Sequence, residues 1–378
     1  MRIAQVAPLV ESVPPKHYGG TERIVAYLTE ELVRAGHKVT LFASGDSVTS
    51  AELIPVTRRS FRQNKRATDY LSREVLLMDH VMQRAGEFDV IHFHTGCMHY
   101  LISRHLTVPH VTTLHGRLDT PEFLRLYERF REMPMISISN SQRKPWPCAN
   151  WQGTIYHGLP RDLFRFHNEP GRYLAFLGRA SVEKRVDRAI EIAKRVGMPL
   201  KIAAKVDRAD RRYFKRDIEP LLNDPHVEWL GEINDKDKDE FLGNAYALLF
   251  PIDWPEPFGL VMIESMACGT PVVAYACGSV AEVMDDGVTG FVVNDMEQAV
   301  EATRRVGELS RARCREVFEE RFTAGRMAGD YIDAYYRLAD SRMRRVEQSL
   351  ESSMRSFPTS WPAQDKLRDS TGREFQKF

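Results

Sequence analysis

Two glutamates, Glu256 and Glu264, lie in a short stretch that begins Pro-Glu-Pro-Phe-Gly and is otherwise mostly apolar. Glu256 follows the apolar run Ala247–Phe250, so we expect it at the carboxyl end of a parallel strand, where open α/β sheets bind ligands. Glu264 lies in a segment whose apolar residues predict a buried helix. A buried carboxylate needs a partner, which could be the paired hydroxyls of a ribose or, alternatively, a neighbouring backbone group.

Two cations and two glycines form the next candidate groups. Arg179 and Lys184 lie at a predicted strand-to-helix turn, where cations beside a helix terminus suit a diphosphate, although a solvated basic turn fits equally well. Gly19 and Gly20 follow the first predicted strand, and paired glycines let a backbone approach an anion closely. They do not form the GxGxxG fingerprint, but Asp46 keeps a dinucleotide site open as an alternative.

Histidines follow or end two predicted strands of the first half. His115 directly follows one of them and is therefore expected at a sheet edge that could face a cleft. His92 and His94 point to one face of another strand end, which could suggest a metal. The nearby Cys97 and His99 do not complete a ligand set with metal-site spacing, so no metal site is predicted.

Alternating strands and helices must position these residues. Short, near-continuous apolar runs alternate with helical periodicity, which is typical of a parallel α/β sheet. The pattern restarts near residue 172, after a polar join at Arg161–Arg172, and therefore predicts two parallel-sheet units. Past about residue 300 it is helical, with one apolar stripe at Met327, Tyr331, Ala334 and Tyr335. The predicted strands are Ile3–Ala7, Lys38–Phe42, Val90–Phe93, His110–Leu114 and Met135–Ser139, then Tyr173–Leu177, Leu200–Ala204, Val227–Leu230, Ala247–Phe250 and Pro271–Ala274.

The bulk properties restrict the class of protein. A chain of 378 residues suits two ordinary domains, and a net charge of +1 gives no indication of a nucleic-acid or anionic-membrane partner. The 5 cysteines are scattered without CxxC spacing, which favours a reducing compartment over disulfides or structural zinc. The first residues lack the apolar run of a signal peptide, and no stretch approaches the ~20 apolar residues that span a bilayer. We therefore expect a cytoplasmic protein.

The glutamate stretch, with Ala267–Val273 and then Gly287 and Gly290, resembles the retaining glycosyltransferases of family 4, which have the GT-B fold. The resemblance runs over roughly residues 1–335. It implies two Rossmann-like parallel-sheet domains facing a central cleft. The expected boundaries are 1–165 for the acceptor-side domain, 166–325 for the nucleotide-sugar domain, 326–340 for a helix packing back toward the N-terminal domain, and 341–378 for a polar tail.

The resemblance also implies roles for individual residues. Glu264 would bond the nucleotide ribose and Glu256 the hydroxyls of the donor sugar, while Arg179 and Lys184 bind the diphosphate. His115 would contact the sugar near the reacting centre, and His157-Gly158 resembles the family's hinge motif. Arg185 departs from the family, which usually has Gly there, and this puts the turn geometry in question. Further donor contacts are expected at Gly19, Gly20, Lys205 beside the nucleobase, Phe258, Gly259 and Leu260.

The resemblance, together with these residues, implies a metal-independent enzyme that needs no cofactor. It would move a hexose from a nucleoside diphosphate sugar, with UDP-glucose favoured over GDP-mannose, to a hydroxyl of a small molecule or glycan, with retention. Stabilisation of the departing diphosphate by Arg179 and Lys184 would dominate the chemistry. A sugar-nucleotide epimerase of the same fold, a nicotinamide-dependent oxidoreductase and a binding-only protein are the alternatives.

Overall fold

Two parallel sheets organise the chain, and the computed structural model describes residues 1–16, 19–64 and 68–355. The strands of the first sheet are β1 Arg2–Val6, β2 Lys38–Ser44, β3 Glu52–Thr57, β4 Val90–Phe93, β5 His110–Thr113, β6 Met135–Ser137 and β7 Trp151–Thr154. Their order across the sheet is β3-β2-β1-β4-β5-β6-β7, and every neighbouring pair is parallel.

The second sheet repeats this arrangement. Its strands are β8 Leu174–Arg179, β9 Leu200–Lys205, β10 Val227–Gly231, β11 Ala247–Phe250, β12 Val272–Tyr275 and β13 Gly290–Val293. They are also parallel, in the order β10-β9-β8-β11-β12-β13. In each sheet the order reverses beside the first strand of the unit, between β1 and β4 and between β8 and β11. Ligands of open α/β sheets bind at the carboxyl ends of strands beside such a reversal.

The predicted α/β fold is confirmed, while three edge strands, β3, β7 and β13, were not predicted. β3 contains Pro55 and is half exposed, and β7 is only partly buried, so neither has the continuous apolar run of a central strand. β13 begins with Gly290, whose φ of 154° is outside the range that ordinary side chains adopt readily. β3 and β7 therefore lack the burial pattern on which the prediction rests, whereas β13 was missed beside a glycine-rich turn.

Helices cover the faces of both sheets. In the first half they are α1 Gly20–Arg34, α2 Leu71–Arg84, α3 Tyr100–Ser103, α4 Pro121–Arg129 and α5 Asn140–Arg143. In the second half they are α6 Val186–Val196, α7 Arg211–Tyr213, α8 Asp235–Gly243, α9 Leu260–Ala267, α10 Val280–Val283, α11 Met296–Arg305, α12 Arg311–Arg321 and α13 Ala324–Arg355. No helix in the described part of the chain is long and apolar enough to cross a membrane.

The last helix, α13, follows the second sheet in the chain but packs on the first. Its predicted apolar stripe is buried among residues of β1 and α1, including Ile3 and Leu28. Tyr331 and Tyr335 are both fully buried. The helix continues beyond residue 340 to Arg355, and the rest of the predicted tail, residues 356–378, lies outside the described residues.

The chain crosses between the two sheets twice, and the crossings touch. The backbone of Leu159, on the outward crossing, bonds to Phe322 and Ala324 on the return crossing, at N–O distances of 2.9 and 2.7 Å. A Cβ atom on Gly158 would lie 2.2 Å from the carbonyl oxygen of Thr323. Only a residue without a side chain allows this approach of one backbone to the other.

Replacement of Gly158 by Ala should therefore lower the free energy of unfolding by about 3 kcal/mol, because the two crossings must separate. Gly329→Ala is the matched control. Gly329 is an exposed position of α13 with open space around its Cα, so alanine should raise stability by about 0.5 kcal/mol there. Urea unfolding monitored by circular dichroism measures both changes. Equal stabilities of the two variants would contradict the packing described for the crossings.

Candidate active site

A cleft of about 520 Å³ opens between the carboxyl edges of the two sheets. Every residue predicted to act in catalysis or donor binding lines it, so the two halves of the chain contribute to one site. These residues are Gly19, Gly20, His115, Arg179, Lys184, Lys205, Glu256, Phe258, Gly259, Leu260 and Glu264.

The Glu256 carboxylate is buried in an ion pair with the ammonium group of Lys184. Its Oε2 also accepts a hydrogen bond from the indole Nε1 of Trp254 at 3.0 Å. The Lys184 ammonium lies over two aromatic rings, 5.2 Å from the centroid of Phe250 and 5.1 Å from that of Trp254. The ammonium group is thus already balanced by one carboxylate and two rings, and a ligand anion would have to replace or share that carboxylate.

Glu264 has a partner that the sequence analysis missed. Its Oε1 accepts from the Lys238 ammonium at 2.7 Å, and the two side chains are only 3% and 12% exposed. Burial lowers the pKa of Lys238, and the Glu264 carboxylate opposes that shift. Lys238 also lies 3.4 Å from Asp235, which pairs with Arg23 of the first domain. The predicted ribose-binding carboxylate is therefore linked by charges across the cleft.

The turn before α9 presents backbone amides to the cleft. Gly259 has a φ of 80°, a left-handed conformation at the N-cap of α9, and a Cβ there would lie 2.7 Å from the methyl group of Met262. The first amides of a helix lack intrahelical partners and attract anions. Across the cleft, α1 begins at Gly20, where a Cβ would lie 3.5 Å from a methyl group of Leu260. Two helix N-termini thus approach the same space.

Arg179 and Lys205 end adjacent strands and lie opposite each other in the parallel register of β8 and β9. Arg179 is ion-paired with Glu183 and lies 3.4 Å from Asp210. The Lys205 ammonium lies 3.0 Å from Asp207. Each cation predicted to contact the nucleotide is therefore held by carboxylates, for which a bound phosphate would compete.

Arg185, the departure from the family, adopts a left-handed conformation. Its φ of 54° and ψ of 56° make it the one residue other than glycine with positive φ among the described residues. The guanidinium bonds to the Asp187 carboxylate at 2.7 Å and to Asp253 at 2.8 Å. The turn thus keeps the backbone geometry that suits glycine.

His115 stands on the opposite side of the cleft, in contact with two other histidines. Its Nε2 lies 3.0 Å from Nδ1 of His94, and its ring stacks on that of His157 with centroids 5.2 Å apart. Burial lowers the pKa of His115 to about 3, so the ring is neutral near pH 7. His157 in turn packs edge-on against Phe258 at 4.9 Å, which joins this histidine group to the glutamate turn.

The residues considered for a dinucleotide site and for a metal site have other partners. Asp46 accepts hydrogen bonds from the amide and hydroxyl of Ser60 at 2.9 and 3.1 Å and lies outside the cleft lining. His92 bonds to Tyr335 and Thr113. No group of three or more His, Cys, Asp or Glu side chains that could hold a metal ion occurs within the described ranges.

The left-handed conformation of Arg185 gives a test by paired substitution. Arg185→Gly and Arg185→Ala both remove the ion pairs, but only alanine retains the steric cost of positive φ. We expect the glycine variant to be more stable by about 1 kcal/mol, because glycine adopts a positive φ at this N-cap without the steric cost that alanine has. Urea unfolding compares them. An alanine variant at least as stable as the glycine variant would show that this turn is not left-handed in solution.

The buried Lys238–Glu264 pair gives a second test. Lys238→Met leaves a buried carboxylate without its cation and should lower the free energy of unfolding by about 3 kcal/mol. Adding Glu264→Gln to this variant removes the unpaired charge and should restore more than half of the loss. A double-mutant cycle with unfolding by urea measures the coupling. Additive effects would mean that the two side chains do not interact.

The sequence matches two family models, one in each half. The model of the glycosyl transferases group 1 matches residues 163–320, and that of glycosyltransferase family 4 matches residues 18–144. Among curated relatives, a phosphatidyl-myo-inositol mannosyltransferase of Mycolicibacterium smegmatis is 26% identical over 331 residues, covering 78% of this chain and 81% of the relative. An uncharacterised glycosyltransferase of Methanocaldococcus jannaschii, MJ1607, is 24% identical over 338 residues, covering 76% and 85%.

Solved structures share the fold. AviGT4, a glycosyltransferase involved in avilamycin A biosynthesis, superposes with a TM-score of 0.68 at 22% identity, covering 90% of this chain and 98% of that one. Alr3699/HepE of Anabaena, in complex with UDP-glucose, superposes with a TM-score of 0.64 at 18% identity, covering 90% and 99%. With both family models matched in order along the chain and two parallel sheets facing one cleft, the protein belongs to glycosyltransferase family 4 and has the GT-B fold.

Proposed function

We propose that this family 4 glycosyltransferase moves a hexose, with UDP-glucose as the favoured donor, to an acceptor hydroxyl with retention and without a metal. The observation that carries the proposal is the single cleft in which paired cations face a buried neutral histidine. In the C-terminal domain, Arg179, Lys184 and Lys238 line the cleft, each paired with a carboxylate. On the N-terminal side, His115 is neutral, and the lining residues Arg23 and Arg62 are ion-paired with Asp235 and Glu11. A donor with an anionic diphosphate and an uncharged sugar suits a site where cations that can exchange partners lie opposite a neutral histidine.

The diphosphate is the part of the donor that the cations would bind. Lys184 and Arg179 are each held by carboxylates, so a phosphate would replace or share those partners rather than meet bare charges. As Lys184 turns to the phosphate, Glu256 would bond sugar hydroxyls and Glu264 the ribose. Lys205 and the amides beside Gly259 and Gly20 would complete the donor site. For the cations, exchange of a carboxylate for a phosphate keeps the cost of desolvation low.

The reaction breaks the bond between the anomeric carbon and the diphosphate oxygen and forms one from that carbon to the acceptor oxygen. Positive character develops on the sugar and negative charge on the leaving diphosphate, which Arg179 and Lys184 would stabilise. The acceptor proton passes to the departing phosphate, which fits a front-side attack with retention. A buried, neutral His115 suits contact with sugar hydroxyls better than a charged role.

Donor and acceptor are inferred from chemistry and from similarity. UDP-glucose is favoured because Alr3699/HepE, which shares the fold, is described in complex with it, while mannosyltransferases among the relatives support a hexose. The acceptor is expected to be a small molecule or glycan bound beside loops of the N-terminal domain. The scattered cysteines favour a reducing, cytoplasmic location.

Mass spectrometry after incubation with UDP-, GDP- and ADP-sugars tests the activity. We expect UDP-glucose to be consumed in preference to GDP-mannose, with transfer to an added acceptor or slow hydrolysis, and without loss of turnover in EDTA. In Arg179→Ala, kcat should fall by roughly a hundredfold or more, as for loss of one group that stabilises developing charge. Glu264→Ala should raise the Kd of UDP by about tenfold through lost ribose bonds.

The exposed Arg313, which pairs with Glu316 on α12 outside the cleft, provides the control Arg313→Ala. Its kcat and Kd should equal those of the unmodified protein. If no donor of the panel is consumed with any acceptor or water, the proposed activity is wrong. If UDP binds Glu264→Ala as tightly as the unmodified protein, the ribose assignment is wrong even where transfer is observed.

A further inference from the structure

A chain of buried hydrogen bonds leads from α13 to the cleft. The hydroxyl of Tyr335 lies 3.0 Å from Gln5 Nε2, and Gln5 Oε1 lies 2.7 Å from His94 Nε2. His94 Nδ1 lies 3.0 Å from His115 Nε2. Tyr335, Gln5 and His92 are fully buried, and His94 is 3% exposed. The chain thus connects a tyrosine of the last helix to the histidine that faces the cleft.

With the Gln5 amide oriented as in the structure, the donors and acceptors give a direction along this chain. The Gln5 amide nitrogen donates to Tyr335, whose own proton goes to His92 Nδ1 at 2.6 Å. The Gln5 carbonyl oxygen can only accept, so His94 carries its proton on Nε2. Burial and the neighbouring imidazoles lower the pKa of His94 well below its usual value, so its Nδ1 is unprotonated.

The direction ends at an atom of His115 that faces no protein partner. The bare Nδ1 of His94 accepts from His115 Nε2–H, which leaves a lone pair on His115 Nδ1. That Nδ1 atom is buried and has no hydrogen-bond partner in the described part of the chain, although the residue lines the cleft. A buried nitrogen with a lone pair and no partner is unfavourable unless a ligand donates a hydrogen bond to it.

We propose that Tyr335, Gln5 and His94 are positioning residues that hold His115 as the Nε2–H tautomer, so that its Nδ1 accepts a hydrogen bond from a ligand hydroxyl. The inference rests on the proposed function, in which that hydroxyl belongs to the donor sugar. It goes further in one respect. The opposite tautomer would present an N–H to the cleft and would favour a ligand oxygen that cannot donate, such as a phosphate oxygen.

The tautomer itself can be measured in the protein without any ligand. Long-range 1H–15N spectra of the histidine-labelled chain distinguish a protonated Nε2 from a protonated Nδ1, and His115→Asn assigns the signal. We expect His115 to show a protonated Nε2 and a bare Nδ1 at pH 7. A reversed Gln5 amide would reverse every bond of the chain, so a protonated Nδ1 on His115 would overturn the proposal.

Two tyrosines of α13 provide a variant and its matched control. Tyr335→Phe removes the acceptor that orients Gln5, so the His115 signal should shift toward the Nδ1–H form. Tyr331 is equally buried, but its hydroxyl lies 2.9 Å from Thr113 Oγ1, which still accepts from His92 in Tyr331→Phe. Both variants should lose similar stability, whereas only Tyr335→Phe should change the tautomer. A merely structural role for Tyr335 predicts identical His115 signals in both.

Kinetics separate this proposal from the proposed function. With UDP-glucose, Tyr335→Phe should lower kcat/KM roughly five- to tenfold, as for loss of one neutral hydrogen bond, and Tyr331→Phe should stay within about twofold. If the enzyme does not use UDP-glucose, the proposed donor is wrong, but the tautomer measurement still tests the positioning role. If His115 has a protonated Nε2 in the unmodified protein but kcat/KM is equal in the two variants, the positioning role is wrong while the proposed function stands.

Discussion

The burial of α13 against the first sheet is the constraint on which the rest of the structure depends. The helix follows the second domain in the chain, yet its stripe at Met327, Tyr331 and Tyr335 lies in the core of the first. Full burial of one such side chain contributes about 1.5–3 kcal/mol, so the return crossing is held firmly against Leu159. Two tyrosines in a core also bring hydroxyls that need partners, and His92, Gln5 and Thr113 satisfy them. The packing that aligns the domains therefore also orders polar groups beneath the cleft.

Charges in the C-terminal domain show a second consequence of burial. Lys184 with Glu256 and Lys238 with Glu264 are pairs in which neither member can remain alone without a large desolvation penalty. A ligand that brought only an anion would leave Glu256 unpaired, and one that brought only hydroxyls would not engage Lys184. A ligand carrying both, at a matching spacing, satisfies all members at once. In the proposed donor site, the two pairs would therefore disfavour a ligand that supplies only one of these groups.

Much of the candidate site could be predicted from the sequence, because ligands of parallel α/β sheets bind at the carboxyl ends of strands. Glu256 and His115 each follow a predicted strand, and this alone indicated a sheet edge for each. Lys238 was missed because it stands in the acidic segment Asp235–Glu240, which is typical of a solvated helix face. Nothing local marks its contact with Glu264, since that contact depends on how α8 packs beside α9. Gln5 was likewise missed, because one polar residue in an apolar strand does not reveal what lies across the core.

Arg185 occupies a position where the resembling family usually has glycine, yet the backbone there keeps the left-handed conformation that suits glycine. The steric cost of about 1–2 kcal/mol is offset by bonds to Asp187 and Asp253, the second of which lies in the turn before Glu256. Glycine would allow the same turn but would not connect it to that loop. In this chain the Arg185 guanidinium therefore links the turn that carries Lys184 to the turn that carries Glu256. The Arg185–Asp253 ion pair thus helps to hold the two partners of the Lys184–Glu256 ion pair together.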